Sequence, residues 1–377
     1  MLVDVAHEVS TVCVCGGVPG LIYRILCVYK QGDKGSTGIT IVFTTRSKND
    51  ILVRAENLLR SLSQRTFPRF VMIRVTFLGT SASQPTLRRN VSAIAIQRNG
   101  DSFLFDCGEG TQRQMMRYGT GFGCDGIYVT HLHADHCLGI SGLLRTMGLQ
   151  GRTAAMNIYG PEKSQMILDQ IVELGVGRVP FPVFVHELKS GDRVDHDGYH
   201  IEAFSVEHGL PALGYALLEE ERPGRFDVAL AHKMGIPEGP LFSALHSGNP
   251  VEIDGRWIRP EEIVGPARPG RKLVYTGDTR PNEVVKTMAK GASLLIHEAT
   301  FAEEEKTRAK ETRHSTAREA AIVARDAGVS ELLLTHISSR YSDNPSGLLN
   351  EAQSIFPKVA VARDGQVFEI SHEDNEQ

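Results

Sequence analysis

The sequence contains no run of about 18 or more apolar residues, which excludes a bilayer-spanning helix as its organising feature. It also lacks a cysteine framework. Its six cysteines include no C-x-x-C pair, and Cys13 and Cys15 stand too close together for an ordinary disulfide. The expectation is a reduced, cytoplasmic protein with no membrane attachment. Positive charge is not in excess: 41 Lys and Arg face 45 Asp and Glu, a formal net charge of -4. Binding of nucleic acid through overall charge is therefore excluded, although a local basic groove is not. No secretory leader is expected either. The apolar patch Val9 to Tyr29 follows Asp4 and Glu8 rather than basic residues, and no small-residue cleavage site stands out. Internal repeats and low-complexity tracts are missing as well.

What is present reads as globular. The chain has 377 residues, 41% hydrophobic and 23% charged, enough for two average domains or one large layered one. Its character changes at Met72. Residues 1–71 carry scattered Gly, Ser and Thr, a helix-like patch from Asp50 to Leu62, and no cluster of chemistry-bearing residues. They are expected to be an N-terminal extension, misassigned or poorly ordered, ahead of a natural start at Met72; a small accessory domain is the alternative. Residues 72–377 are expected to form the functional domain.

From Met72 short β runs alternate with helical patterns. Ile73–Gly79 reads as a strand, and Val91–Ile96 and Ser102–Asp106 as a pair joined at Asn99-Gly100-Asp101. Gly110–Tyr118 and Leu138–Met147 read as helices, and Gly126–Thr130 as a strand between them. Further strands fit Lys272–Thr276, Leu294–Ile296, Leu332–Leu334 and Val359–Val361. A helix fits Ser315–Ala327, capped by Ser315 or Thr316 and stopped by Gly328. Strands interleaved with helices imply a layered α/β protein.

The strand Gly126–Thr130 runs into His131-Leu132-His133-Ala134-Asp135-His136. Two histidines two apart in extended chain project to one side, where they can grip one metal ion. Asp135 and His136 follow as the chain turns and aim at a neighbouring position, so one segment can serve two metals. Four side chains cannot close two sites. His208, Asp278 and His336 are the further candidates, because each follows an apolar strand, and active sites of layered α/β folds gather at strand ends.

These residues, with several shorter motifs, resemble the metallo-β-lactamase superfamily and, within it, the ribonuclease Z family of tRNA 3′-processing endonucleases. The resemblance runs from Met72 to about Ile370. It rests on His131-x-His133-x-Asp135-His136, on Phe77-Leu78-Gly79-Thr80-Ser81 and on Phe105-Asp106-Cys107-Gly108-Glu109-Gly110-Thr111-Gln112. It rests further on His297-Glu298-Ala299-Thr300-Phe301, His314-Ser315-Thr316 and Leu334-Thr335-His336-Ile337-Ser338-Ser339-Arg340-Tyr341.

The resemblance implies a four-layer αββα sandwich with a protruding arm, two Zn2+ per subunit, a homodimer, and precursor tRNA as substrate. His131, His133 and His208 would hold one zinc, Asp135, His136 and His336 the other, and Asp278 would bridge them. Asp135 would also be the general base. Glu298 and His314 would assist the leaving group, and Asp106 would orient a ligating histidine from behind. Residues 160–188, with a Gly/Pro-rich tip carrying Arg178, are expected to be the arm that grips tRNA. Arg88, Arg89 and Asn90 would face the substrate 3′ end. Leu87 stands where the family usually has lysine, so discrimination against CCA-ending tRNA stays open. The competing readings are a 3′ exoribonuclease or general phosphodiesterase of the same superfamily, a thioester or lactam hydrolase, and a non-enzymatic zinc-dependent RNA-binding protein.

Overall fold

The computed structural model describes residues 25–31, 37–43 and 72–372. The chain divides into two compact units, residues 1–70 and 71–377. In the first, strands β1 (Ile25–Gln31) and β2 (Thr37–Phe43) form an antiparallel hairpin in the register Ile25 to Phe43. The helix expected over Asp50–Leu62 lies outside the described residues.

The second unit is built on two seven-stranded sheets. The first sheet runs in the order β18 (Val367–Ile370), β3 (Ile73–Gly79), β4 (Ala93–Arg98), β5 (Asp101–Phe105), β6 (Gly126–Tyr128), β7 (Met156–Pro161) and β8 (Val183–Leu188). The second runs β17 (Val359–Val361), β16 (Leu332–Thr335), β15 (Leu294–Glu298), β14 (Lys272–Tyr275), β11 (Leu213–Glu219), β10 (Tyr199–Ser205) and β9 (Arg193–His196). Strands β5 to β8 are mutually parallel, as are β14 to β17. Parallel strands need crossovers, and helices supply most of them.

Three buried clusters account for the layering. One lies between the sheets and includes Ile73, Phe77, Phe105, Tyr128, Tyr215, Tyr275 and Ile296. A second joins the first sheet to helices α1 (Thr111–Tyr118), α2 (Ala134–Cys137), α3 (Gly139–Leu149) and α4 (Gln165–Glu173). The third joins the second sheet to helices on its outer face. Strands facing cores on both sides read as nearly continuous apolar runs, as Leu332-Leu333-Leu334 does. The result is the αββα sandwich.

Residues 160–188 depart from expectation. They do not form a protruding arm: α4 buries Leu168 and Ile171, and β8 pairs along its whole length with β7 as the edge of the first sheet. The Gly/Pro-rich stretch Gly175–Pro182 is the turn that closes this parallel crossover, and Pro180 packs on Gly148. A different segment stands apart. Between β11 and β14 the chain inserts α5 (Val228–Lys233), α6 (Pro240–His246) and the hairpin β12 (Val251–Ile253) with β13 (Arg256–Ile258). This insertion has its own small core of Ala231, Ile236, Leu245, Val251, Ile258 and Ile263.

After β14 come α7 (Glu283–Ala289), α8 (Lys306–Glu311), α9 (Ala317–Ala327) and α10 (Ser346–Gln353). Thr316 caps α9 through a capping box with Glu319, and Gly328 ends it in the left-handed conformation. No helix of the described residues is long and apolar enough to cross a membrane.

Candidate metal centre

All the expected ligands converge where parallel strands of both sheets end. The first sheet delivers His131, His133, Asp135 and His136 in the turn between β6 and α3. The second delivers His208 after β10, Asp278 after β14 and His336 after β16. Donor atoms of His131, His133, His208 and Asp278 lie within 4.8 Å of one another, as do those of Asp135, His136 and His336.

Four of the rings have a fixed orientation. Thr130 Oγ1 donates to Asp106 and therefore accepts from His131 Nδ1 at 3.0 Å. His136 Nδ1 donates to Asp106 Oδ2 at 2.8 Å, and His208 Nδ1 to the carbonyl of Arg313 at 3.0 Å. Thr300 Oγ1, which donates to Glu298 Oε2, accepts from His336 Nδ1 at 2.9 Å. In all four rings Nδ1 faces a partner behind it, which turns Nε2 toward the centre of the site.

These groups fit a metal better than they fit one another. His131 Nε2 approaches His133 Nδ1 to 3.0 Å, and His136 Nε2 approaches His336 Nε2 to 3.4 Å. Such nitrogens cannot all be donors. Asp278 Oδ1 is buried without a hydrogen bond, while Asp278 oxygens stand 3.3–3.7 Å from His131, His136, His208 and His336. A buried acceptor without a donor calls for a cation. The donor set, imidazole and carboxylate, suits zinc and other first-row divalent ions.

The electrostatics agree. Burial and the neighbouring His136 hold His131 well below the ordinary histidine range. Burial would raise Asp278, but His336 and His136 outweigh it and keep the carboxylate ionised. For Asp135 burial is likewise outweighed, by His336 and His136, and its pKa falls far below the usual carboxylate value. Asp135 Oδ2 also accepts the backbone N–H of Ser83 at 2.7 Å.

Beside the ligands, His314 Nδ1 donates to Glu298 Oε1 at 2.9 Å. Glu298 is buried and accepts four further bonds, from Thr279 N, Thr300 N, Thr300 Oγ1 and Ser315 N. Burial lowers the His314 pKa, yet Glu298 outweighs it and lifts the ring to about 9.

The backbone is shaped for this assembly. Non-glycine residues at positive φ include Asp106 at 57°, His336 at 55°, Ser83 at 61° and Arg313 at 60°. Each supplies or supports a candidate ligand, a concentration of uncommon conformations at the site. Two glycines permit close approach. A Cβ on Gly108 would meet the Asp135 carbonyl at 2.2 Å, and one on Gly277, at φ 60°, would meet Thr130 at 2.8 Å.

The substrate-facing expectations fare unevenly. Arg88 is exposed and pairs with Asp343. Arg89 is not available to RNA: it is 4% exposed and donates inward to Thr80 Oγ1 and the Ala362 carbonyl. Asn90 ties the same loop down, through Nδ2 to the Glu109 carbonyl and through its N–H to Asp364. Arg178 lies exposed on the crossover turn rather than on an arm. Thr130, Thr300 and Tyr275 carry roles that motif reading missed, although each lies next to or inside a motif that marks a ligand.

Fold and site together define a metal-dependent hydrolase of the metallo-β-lactamase fold. A family model described as "Beta-lactamase superfamily domain" matches residues 246–337, and one described as "Anti-Pycsar protein Apyc1" matches residues 73–221. Ribonuclease Z of Myxococcus xanthus is 54% identical over 301 residues, 79% of this chain and 98% of that protein. Ribonuclease Z of Haloferax volcanii is 50% identical over 307 residues, covering 81% and 97%. Among solved structures, the short form of human tRNase Z (ELAC1) superposes with a TM-score of 0.58 at 28% identity, covering 79% of this chain and 99% of that one. The metallo-β-lactamase fold protein YhfI of Bacillus subtilis gives a TM-score of 0.58 at 19% identity over 79% and 99%, a likeness of fold alone. The chain belongs to the ribonuclease Z family.

Proposed function

We propose that this chain is a metal-dependent endoribonuclease that cuts precursor tRNA on the 3′ side of the discriminator nucleotide. The products are a tRNA 3′-hydroxyl and a trailer with a 5′ phosphate. The observation that carries this reading is the seven-ligand cluster with an imidazole–carboxylate pair, His314 and Glu298, at its edge. A lactam or thioester hydrolase would have no use for that pair.

His131, His133 and His208 would hold one Zn2+, Asp135, His136 and His336 a second, with Asp278 between them. Metal ions bound there would lower the pKa of water and neutralise charge on the phosphate. Asp135, held ionised by its imidazole neighbours, accepts the proton of the attacking water. His314 donates a proton from Nε2 to the departing 3′ oxygen, while Glu298 holds Nδ1 and stabilises the cation. Asp106 orients His136 from behind.

Leu149, Met166, Leu174 and Val176, which belong to or adjoin α3 and α4, are exposed large apolar residues and favour a homodimer through that side. The insertion between β11 and β14, rather than residues 160–188, suits the role of the tRNA-gripping arm, because it has a core separate from the sandwich. Arg88 is an exposed cation of the loop beside the site and suits a phosphate contact. A reduced, cytoplasmic enzyme fits the buried free thiols Cys107, Cys124 and Cys137.

Purified protein should release a trailer from precursor tRNA in one cut. Asp135→Ala should lower the rate by about 10³-fold or more with an unchanged melting temperature. Stepwise shortening of the trailer would instead identify an exonuclease, and undiminished cutting by Asp135→Ala would falsify the base assignment. The extension is tested separately: a chain starting at Met72 should fold and take up metal like the full chain.

A further inference from the structure

Asp106 is completely buried, and its carboxylate is held by more than its histidine. Thr130 donates to Oδ1 through its backbone N–H at 2.7 Å and its hydroxyl at 3.0 Å. His136 Nδ1 donates to Oδ2 at 2.8 Å, and the phenol of Tyr275 donates to the same Oδ2 at 2.7 Å. The last of these donors comes from the opposite sheet. Tyr275 ends β14, three residues before Asp278, while Asp106 follows β5. One strand of the second sheet thus contributes a carboxylate to the ligand cluster and a hydroxyl to the support beneath the other sheet's histidine. Tyr275 is held in turn by stacking on Phe105, with centroids 5.6 Å apart and planes at 12°.

We infer that Tyr275 is a positioning residue of the metal centre. By fixing Asp106 Oδ2 from across the sandwich, it sets the His136 Nδ1 bond and so the aim of Nε2. The inference deepens the metal-site reading above and rests on it. A buried carboxylate is placed by the donors that reach it, and His136 Nδ1 and the Tyr275 phenol both reach Oδ2. The phenol shares Oδ2 with the imidazole and removes one direction in which the carboxylate could move. Burial keeps the phenol protonated and therefore always a donor. Partners behind metal-bound histidines affect metal affinity by about 10- to 100-fold.

A matched control exists in the same sheet. Tyr199, which opens β10, donates across the sandwich to Asp101 Oδ2 at 3.0 Å. Asp101 opens β5 at the end remote from the ligands. Tyr199→Phe therefore removes a similar bond with no route to the metal centre.

The test is Zn2+ affinity of the metal-free full-length chain, read by competition with a chromophoric chelator, with melting temperature alongside. Tyr275→Phe should bind at least one Zn2+ about tenfold more weakly than the parent, whereas Tyr199→Phe should stay within about twofold of it. An equal loss in both variants, or none in Tyr275→Phe, overturns the inference. Asp106→Asn supplies a second reading that does not need Tyr275→Phe to fold. It should weaken Zn2+ at least as much, and parental affinity in that variant also overturns the inference. In the Asp106→Asn background Tyr275→Phe should add nothing. A parent chain that takes up no Zn2+ would overturn the metal-site reading itself, a result distinct from a parent that binds and a Tyr275→Phe variant that binds equally well.

Discussion

The two sheets furnish the candidate metal centre in different ways. The first contributes His131, His133, Asp135 and His136 from one turn of six residues. The second contributes His208, Asp278 and His336 one at a time, each from its own strand end and separated by about 60 or 70 residues in the sequence. The first half can take shape locally, because β6 and the following helix fix it. The second half exists only when β10, β14 and β16 are in register. The difference teaches that the first-sheet turn defines which metal chemistry is on offer, whereas the second sheet makes it depend on the completed fold. Asp278 carries most of that dependence, since it faces histidines of both halves.

The largest expected effect breaks the comparison at that residue. Asp278→Asn should remove the charge that holds the two halves together, and activity should fall by about 10³-fold or more, as for loss of a central catalytic group. Metal content should fall with it. Asp135→Ala, on the first-sheet turn, should cost comparable activity but retain more metal. Metal analysis of both purified variants checks this, and equal metal loss would erase the distinction between the halves.

A smaller effect concerns His314 and Glu298, which both belong to the second-sheet side. His314 must be protonated to act as an acid, and its pKa is raised to about 9. The rate should therefore hold through neutral pH and decline as pH rises through about 9. Glu298→Gln removes the largest raising influence and leaves burial, which lowers the pKa, opposed by the smaller pull of Asp278. The alkaline limb should then move to lower pH, with the neutral-pH rate down by about 10- to 100-fold. The same pair bears on stability. A raised histidine pKa stabilises the fold fully below about 6.5, and that contribution is lost as pH climbs through about 9. A pH–rate profile whose alkaline limb does not shift in Glu298→Gln would remove His314 from the acid role.

How much of this was legible in the sequence follows from the same contrast. The first-sheet half announces itself, since four metal-binding side chains seldom gather in one short turn for any purpose but ligation. The second-sheet candidates were legible because each follows an apolar strand, and the family motifs singled out which of several histidines to expect there. The supports were harder. Thr130, Thr300 and Tyr275 are ordinary strand-end residues until the fold brings an acceptor or ring nitrogen to each, across as much as 169 positions for Tyr275 and Asp106. Residues 160–188 misled because glycine and proline mark a turn without saying what it joins. Here it closes a parallel crossover, and the alternating exposure of Val183–Leu188 is that of a sheet edge. The separate core of the insertion was equally invisible, since Ile236, Leu245 and Ile258 look like any scattered apolar residues.

The loop Pro85 to Asn90 sharpens the comparison at its smallest scale, because adjacent arginines have opposite fates. Arg88 is exposed, and its partner Asp343 is more exposed still, so the pair adds little to stability. Arg88→Ala should leave the melting temperature unchanged, raise KM for precursor tRNA a few-fold, and lower the salt dependence of binding by about one ion. Arg89 is enclosed, and burial lowers its pKa against the pull of Asp364. Its guanidinium joins Thr80, at the start of the loop after β3, to the Ala362 carbonyl beyond β17. Arg89→Ala should cost about 2–3 kcal/mol of stability through lost charged hydrogen bonds, while the salt dependence of binding stays that of the parent. Denaturant titration and salt-dependent binding of the two variants separate these outcomes. Were Arg89→Ala instead to lower the salt slope at unchanged stability, the inward guanidinium would have to turn out to meet RNA, and the loop would have to be more adaptable than its bonds to Thr80, Ala362, Glu109 and Asp364 allow.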